Sequence, residues 1–400
     1  MSSPSLTTPG LAAAAPAAPA RRGLAALALL CFGHFVIDLY AASLSALQPL
    51  LVEKLKLSLT QAGIVGGLLL VSSSVAQPLY GFLADRFHSR LFTVLAPAVA
   101  GVFLSSLGLA TGFGALIVLA ILGGAGVASF HPQASSLATA GVERSRGSWM
   151  AVFISSGTLG MALGPTAFSL VSTRYGLENA AWMMIPGLAA TAALLAYLPG
   201  PASARERKKV DWNGLHAVWY PLTLLYTLVF IRSAVQIVFA QFLPLYLHLE
   251  RGLSVTQSNL LLSLYLASGA LGGFLGGSLA DRIGGRRVIM ISMIGCVPPL
   301  ALFFFATGWL SALGLMLGGL VLLFTIPVNV VMAQELAPTQ TGTVSALMMG
   351  FAWGMAGMIL VPLAGLLSDA WSLHRVLSSL LLFPIAGFFV TRLLPKKARP

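Results

Sequence analysis

The chain alternates long apolar runs with short breaks of glycine, proline or charged residues. A helix needs about 20 apolar residues to cross the hydrocarbon core of a bilayer, and twelve runs are long enough. The pattern predicts spanning helices 1 to 12 over residues 24–51, 61–82, 91–111, 114–139, 148–172, 180–199, 217–247, 257–279, 288–307, 311–335, 343–368 and 375–394.

Composition supports this membrane interpretation. Hydrophobic residues make up 57% of the 400 positions and charged residues 8%, which is too few polar groups to cover a soluble fold of this size. Residues 1–20 carry no charge and are rich in Ser, Pro, Ala and Thr, which predicts a disordered tail. The run after Arg21 and Arg22 is too long for a secretory signal and is interpreted as helix 1.

The distribution of cations predicts the orientation. The net charge is +12, and seventeen of the 23 Lys and Arg residues fall on the side of the two termini, against five on the other side. Short cytoplasmic loops retain Lys and Arg, so both termini are predicted to be cytoplasmic. Arg232 is the remaining cation, and it lies inside helix 7.

A short cassette occurs twice, 196 residues apart, between helices 2 and 3 and between helices 8 and 9. Its residues are Gly81, Asp85, Arg86 and Arg90 in the first copy and Gly277, Asp281, Arg282, Arg286 and Arg287 in the second. Residues 57–61 match 253–257 at the same offset, with Ser or Thr suited to capping the next helix. Pro49 and Pro132 match Pro244 and Pro327 at an offset of 195.

These repeats predict two six-helix bundles of the same orientation, residues 21–199 and 217–400. Residues 200–216 form the polar cytoplasmic linker between them. Parallel repeats of this kind place a substrate site between the halves, near the middle of the bilayer.

Asp38 and His34 are four residues apart and share one face of helix 1. An ionised carboxylate inside the bilayer costs several kcal/mol unless it faces a partner or water, so Asp38 is a candidate proton site. The alternative is a neutral acid that hydrogen-bonds His34 and packs the bundle.

Arg232 lies one position from the repeat partner of Asp38, so helices 1 and 7 are expected to present opposite charges between the halves. One interpretation is a structural ion pair that closes the cavity. The other is that Arg232 binds an anionic group of the substrate. Arg232, Asp38, His131 and Gln236 form the predicted substrate-binding set.

His131 precedes Pro132, a residue that permits a kink in helix 4. The imidazole of histidine exchanges protons near neutral pH, so His131 joins Asp38 and His34 as a candidate for proton coupling. A satisfied polar group is the alternative. Glu335, near the cytoplasmic end of helix 10, is predicted to act in a gate or as a cap.

The cassettes resemble the loop motif of the major facilitator superfamily, roughly Gly-x-x-x-Asp-Arg-x-Gly-x-Arg-Arg. The second copy fits fully, whereas the first has Phe87 and His88 where a glycine is expected. The resemblance implies an all-α fold of twelve spanning helices in two six-helix bundles. It also implies a cytoplasmic gate that holds the outward-facing state closed, formed by Asp85, Arg86, Arg90, Asp281, Arg282, Arg286 and Arg287 together with Glu335.

A narrower resemblance is to the fosmidomycin-resistance branch, which comprises proton-driven drug exporters of bacterial inner membranes. It rests on short segments at residues 33–38, 130–132, 231–233, 242–246 and 333–336. Gly157, Gly160, Gly164 and Pro165 of helix 5 resemble the antiporter motif of exporters, although close helix packing explains small residues equally well. The arginine that many exporters carry early in helix 4 is absent, and Ala120 stands near its expected place.

Together these features predict a proton-coupled antiporter that exports small anionic or amphiphilic compounds, including drugs such as fosmidomycin, by alternating access. A proton symporter that imports an organic anion is the first alternative, and a lipid-handling or receptor protein is the second. No enzymatic triad, phosphate-binding loop or clustered metal ligands support catalysis, a metal or a cofactor, and the driving force is a proton gradient. The expected partners are the substrate, protons and membrane lipids, without nucleic acid, for a monomer in the bacterial cytoplasmic membrane.

Overall fold

The computed structural model describes residues 19–87, 89–139, 146–198 and 212–395, with the backbone alone at residues 19–22, 85, 146, 147 and 213. Twelve helices in these ranges are long and apolar enough to span a membrane. Helices 1 to 12 are Gly23–Leu55, Leu59–Ala84, Leu91–Leu109, Phe113–Ala138, Ser148–Tyr175, Leu177–Tyr197, Trp219–Leu249, Val255–Ile283, Gly285–Phe305, Gly308–Leu336, Pro338–Ala370 and Leu373–Leu393. The predicted all-α class with twelve spans is confirmed.

Some predicted segments fall outside the described residues. These are nearly all of the 1–20 tail, whose last two residues are already helical, most of the 200–216 linker, and the basic C-terminus. The end of the linker forms a short helix, Trp212–Ala217. The limits of the two predicted halves stay predictions.

The start of helices 2 and 8 shows why the sequence folds in this way. Ser58 accepts a hydrogen bond from the Gln61 backbone N–H, and the Gln61 side chain accepts one from the Ser58 N–H. Ser254 and Gln257 repeat the same capping box. Each box satisfies two N–H groups that the first helical turn leaves without partners, as expected from the repeated sequence.

The two halves repeat each other in packing as well as in sequence. A β-carbon at Gly81 would lie 3.4 Å from Pro132, and one at Gly277 would lie 3.5 Å from Pro327. In both halves the glycine of the cassette therefore packs against the proline of the fourth helix of that half. We call the end of the bundle that carries the two cassettes the cassette end, and the other the opposite end.

The halves are joined at the opposite end. Asp369 of helix 11 accepts hydrogen bonds from the Leu59 N–H at 2.9 Å, the Thr60 N–H at 2.8 Å and the Thr60 hydroxyl at 2.6 Å. At the repeat-equivalent positions, the Thr173 and Thr256 hydroxyls lie 3.3 Å apart. The halves are therefore held together by polar contacts at the opposite end in this conformation.

Helices 2 and 11 each contain a π-helical turn, Val71–Val75 and Leu347–Phe351. The two turns contact each other between the halves. A β-carbon at Gly354 would lie 3.1 to 3.2 Å from Val75 and Ser74, so the helices are tightly packed on that side. Such turns are irregularities that recur at functional sites of helical proteins.

Candidate functional site

Three titratable side chains meet inside the first half. The Asp38 Oδ2 atom lies 3.3 Å from the His34 Nε2 atom on the same helix, and the Asp38 Oδ1 atom lies 3.2 Å from the His131 Nε2 atom on helix 4. The carboxylate of Asp38 thus spans two imidazoles, one oxygen to each. We call His34, Asp38 and His131 the central cluster.

Backbone carbonyls and an aromatic ring fix both imidazoles. The His34 Nδ1 atom lies 2.7 Å from the Phe153 carbonyl oxygen, and the His131 Nδ1 atom lies 2.9 Å from the Val127 carbonyl oxygen. The Phe153 ring stacks on the His34 ring with centroids 4.2 Å apart. These contacts turn both Nε2 atoms toward Asp38.

The partners of the imidazoles decide where protons sit. A carbonyl oxygen only accepts, so the Nδ1 atoms of His34 and His131 carry the hydrogens in these contacts. A neutral imidazole has no second hydrogen, and its Nε2 atom then presents a lone pair to the oxygen of Asp38. Each of the two contacts with Asp38 is therefore attractive only when a proton lies between the two atoms. The central cluster is built to hold up to two exchangeable protons.

Accessibility differs within the central cluster. The side chains of His34 and Asp38 are 7% and 11% exposed, whereas that of His131 is 25% exposed. His131 is thus the most exposed member of the central cluster.

The glycines of helix 5 make room for helix 1. A β-carbon at Gly157 would overlap the Asp38 Oδ2 and His34 Nε2 atoms, and one at Gly160 would overlap the Phe35 carbonyl oxygen. One at Gly164 would lie 2.6 Å from the Leu39 carbonyl oxygen. The resemblance to the antiporter motif therefore coincides with the helix face that seats the central cluster, and Pro165 continues that helix.

The same three side chains are the one group, among the described residues, with the composition and spacing of a metal site. The ligand atoms lie within 4.8 Å of one another, and Zn²⁺ accepts imidazole and carboxylate donors. The sequence showed no such cluster because His131 is distant along the chain. Asp38 already contacts both Nε2 atoms directly, and we therefore interpret the group as a proton site; the absence of a metal stays a prediction.

Arg232 lies in the other half and is 5% exposed. Its Nη1 atom donates to the Gln236 side-chain oxygen, and its Nε atom has no hydrogen-bond partner among the described residues. Arg232 and Asp38 form no ion pair in this conformation, so the interpretation of Arg232 as a structural partner of Asp38 does not describe this state.

A cavity of about 80 Å³ lies between the halves. Its polar lining comes from Ser45 and Ser73 of the first half and from Gln236 and Gln241 of the second, and Trp353 of helix 11 closes one wall. Asp38 and Arg232 each lie one helical turn from a lining residue, Ala42 and Gln236 respectively. Of the predicted substrate-binding residues, Gln236 lines this cavity, whereas Asp38, His131 and Arg232 do not.

Comparison with known proteins identifies the family. The family model described as "Major Facilitator Superfamily" matches residues 30–253 and 225–400, which together cover most of the chain.

The chain belongs to the major facilitator superfamily. It is 30% identical to the fosmidomycin resistance protein of Escherichia coli strain K12 over 388 residues, which cover 95% of each chain. It is also 30% identical to an uncharacterised MFS-type transporter, YfnC, of Bacillus subtilis strain 168, over 88% of this chain and 89% of that protein. The chain is therefore a transporter of this superfamily and not an enzyme.

Solved structures support the major facilitator fold. A bacterial homologue of the human lysosomal transporter Spinster, in an inward-facing and occupied conformation, aligns with a TM-score of 0.76 at 14% identity, covering 92% of this chain and 96% of that one. The nucleoside transporter NupG aligns with a TM-score of 0.73 at 15% identity, covering 93% of this chain and 98% of that one.

One arginine of each cassette in this facilitator hydrogen-bonds to backbone carbonyls of its own half. Arg90 donates to the carbonyl oxygens of Leu198 and Leu195 at the end of helix 6. Arg286, its repeat equivalent, donates to those of Thr391 and Arg392 at the end of helix 12. A cation at a helix C-terminus offsets the partial negative charge of the last carbonyls, so these two arginines brace each half.

The other predicted gate residues are mostly at the surface. Arg86, Asp281, Arg282, Arg287 and Glu335 are exposed at the cassette end. The side chain of Asp85 lies outside the described part. Gly284 has φ +87°, a left-handed value that explains the glycine of the second cassette; the equivalent His88 is not among the described residues. Closure of the cassette end by this set stays a prediction.

Proposed function

We propose that this facilitator is a proton-coupled antiporter that exports small anionic or amphiphilic compounds across a bacterial cytoplasmic membrane. The observation that carries the proposal is the central cluster, in which one carboxylate contacts two imidazoles, about one turn along helix 1 from a residue that lines the cavity between the halves. Such a group can bind and release protons, since each contact between the carboxylate and an imidazole holds a proton between the two atoms.

The position of the central cluster supports alternating access. His131 is its most accessible member, and the halves are closed at the opposite end. Protons would leave the central cluster toward the cassette end in this conformation and enter it from the opposite end after the halves rock. The buried charge of Asp38 gives a physical reason for coupling, because an unprotonated cluster is costly to enclose.

Arg232 supplies the preference for an anionic group. It is a buried cation without a carboxylate partner in this state, and its Nε atom has no hydrogen-bond partner among the described residues. A phosphonate or carboxylate would accept two parallel hydrogen bonds from a guanidinium. Gln236, which lines the cavity and accepts from Arg232, would orient that guanidinium.

Two observations favour export. Gly157 of the antiporter-like motif packs directly against Asp38 and His34, and Gly160 and Gly164 pack against neighbouring residues of helix 1. A relative that matches over 95% of the chain is described as a fosmidomycin resistance protein. We take fosmidomycin, a phosphonate, as the first probe.

Import by proton symport is the second candidate, and the electrostatics of the site favour it. Two protons on the central cluster would give it a net positive charge, which attracts an anion to the same cavity. A proton and an anion could then bind together rather than in turn.

Flux in proteoliposomes separates the candidates. We expect labelled fosmidomycin to accumulate inside vesicles whose lumen is more acidic than the medium, since exchange with outgoing protons drives antiport. Accumulation under the reverse gradient would establish symport. Equal flux under both gradients, or unchanged gradient-driven flux in Asp38→Asn, would refute proton coupling through the central cluster.

A further inference from the structure

A second carboxylate–imidazole contact lies at the opposite end, and it joins the two halves. The His248 Nε2 atom at the end of helix 7 lies 3.0 Å from the Glu53 Oε1 atom at the end of helix 1. The sequence offset between these residues is 195, the same as between Pro49 and Pro244. Glu53 and His248 are therefore repeat equivalents that meet each other across the pseudo-twofold axis.

The tautomer of His248 is set in the same way as in the central cluster. The His248 Nδ1 atom lies 2.8 Å from the Leu253 carbonyl oxygen, which only accepts, so Nδ1 carries a hydrogen. A neutral His248 would direct the lone pair of its Nε2 atom at the oxygen of Glu53. The contact between the halves is attractive only when a proton lies between them.

The neighbouring charges are engaged elsewhere. Lys54 pairs with Glu178 at 2.7 Å, and Glu250 accepts from the N–H groups of Leu373 and His374. Arg251 donates to the Tyr246 hydroxyl and to carbonyls at the end of helix 9, and His374 contacts the same hydroxyl. Asp369 caps helix 2, and Arg174 lies over the Tyr175 ring. The remaining cations described at this end, Lys56 and Arg375, are exposed.

We propose that Glu53 and His248 form a second proton-binding site, which exists only when the opposite end is closed and which holds that end shut while it is protonated. The state that binds more protons gains stability as pH falls. A lower pH at the opposite end, the predicted outer face, therefore shifts the protein toward the conformation described here.

This inference rests on the proposed function. Protons arriving from outside would then bind the central cluster and also close the end of the protein through which they entered. The side chain of Glu53 is 53% exposed and that of His248 is 23% exposed. An ion pair this exposed changes an equilibrium by only about two- to fivefold. The second site would therefore make a small change to the conformational equilibrium, whereas protonation of the central cluster would couple transport to the proton gradient.

Spin-label distances test the second site without any substrate. Thr111 and Thr307 are repeat equivalents in exposed turns at the opposite end, one in each half. We would replace both by cysteine in a chain carrying Cys31→Ser and Cys296→Ala, attach spin labels and reconstitute the full chain in lipid nanodiscs. The short-distance population measures closure of the opposite end.

We expect the ratio of closed to open protein to rise about two- to fivefold between about pH 7.5 and about pH 5.5. Glu53→Gln, made in a chain that also carries Asp38→Asn so that the central cluster does not contribute, should abolish this dependence, because an amide donates to the neutral Nε2 atom at any pH. Lys54→Gln, which breaks a pair within the first half, is the matched control and should keep the dependence. A ratio that does not change with pH in the parent chain, or that still changes with pH in Asp38→Asn/Glu53→Gln as much as in Asp38→Asn, overturns the proposal.

The Asp38→Asn background separates this proposal from the proposed function. We expect the dependence of the ratio on pH to persist there, because the second site does not involve the central cluster. If the dependence vanishes in Asp38→Asn and remains in Glu53→Gln, the central cluster alone controls closure and the second site is refuted while the proposed function stands.

Discussion

The Asp38 Oδ1 atom lies 3.2 Å from the His131 Nε2 atom, and this contact joins helix 1 to helix 4. Because the Nδ1 atom of His131 is committed to the Val127 carbonyl, the contact needs a proton. A glutamine at position 131 would donate to the carboxylate without one.

His131→Gln should therefore flatten the pH dependence of transport. We expect the initial rate of fosmidomycin flux to vary about tenfold between about pH 5.5 and about pH 8 in the native chain and less than about threefold in the variant. His216→Gln, in the short helix before helix 7, is the control and should keep the native profile. An unchanged profile in His131→Gln would show that this contact does not carry the proton.

Gly157 is the residue of helix 5 on which the geometry of the central cluster depends most directly. Gly157→Ala would push apart the Asp38 Oδ2 and His34 Nε2 atoms. We expect flux to fall about tenfold or more, with a loss of about 1–3 kcal/mol in the free energy of unfolding from overpacking. Gly273→Ala, whose β-carbon would lie 3.8 Å from the Leu323 carbonyl oxygen, should leave both quantities near native values. Native flux in Gly157→Ala would show that transport does not depend on the packing of helix 5 against the central cluster.

Much of this arrangement followed from the sequence, and the reason is local. The offset of 196 predicted the paired caps at Ser58 and Ser254, and the four-residue spacing predicted that His34 and Asp38 share a face. Such features depend on one helix or on the duplication, so they need no knowledge of packing.

The contacts between distant helices did not follow from the sequence. His131 was a separate candidate, and only the packing of helix 4 against helix 1 brings it to Asp38. Arg232 was expected to oppose Asp38, yet this conformation leaves the two unpaired and neither lines the cavity. The contact of Glu53 with His248 is encoded in the repeat offset, and comparing titratable residues at equivalent positions could have revealed it.

Arg232 offers a test that separates binding from stability. Arg232→Met removes a buried cation that has no carboxylate partner among the described residues, so the free energy of unfolding should stay within about 1 kcal/mol of the native value or rise. The KM for fosmidomycin should rise about tenfold or more through loss of the bidentate contact.

The contrasting variant is Arg251→Met, because Arg251 donates to the carbonyl oxygens of Phe303, Phe304 and Ala306. We expect it to lower the free energy of unfolding by about 2–4 kcal/mol. Thermal melts and flux assays on both variants check the pair. A large loss of stability in Arg232→Met would favour a structural role for Arg232.

Asp369 is the strongest polar connection between the halves at the opposite end. Asp369→Ala would remove three hydrogen bonds to Leu59 and Thr60 at the start of helix 2. We expect the ratio of closed to open protein, measured with spin labels at positions 111 and 307, to fall about tenfold because bonds to a charged acceptor are lost. Thr173→Ala removes the weaker, neutral repeat equivalent and should change the ratio less than about threefold. Equal effects would contradict this ranking.

Proton movement during transport tests the central claim most directly. Proteoliposomes containing a pH-sensitive dye would receive fosmidomycin outside, with no gradient imposed at the start. Antiport through the central cluster predicts that the lumen becomes more alkaline as fosmidomycin enters, and that Asp38→Asn shows no such change although it still binds fosmidomycin. Acidification of the lumen on entry, or a native proton signal in Asp38→Asn, would contradict the account.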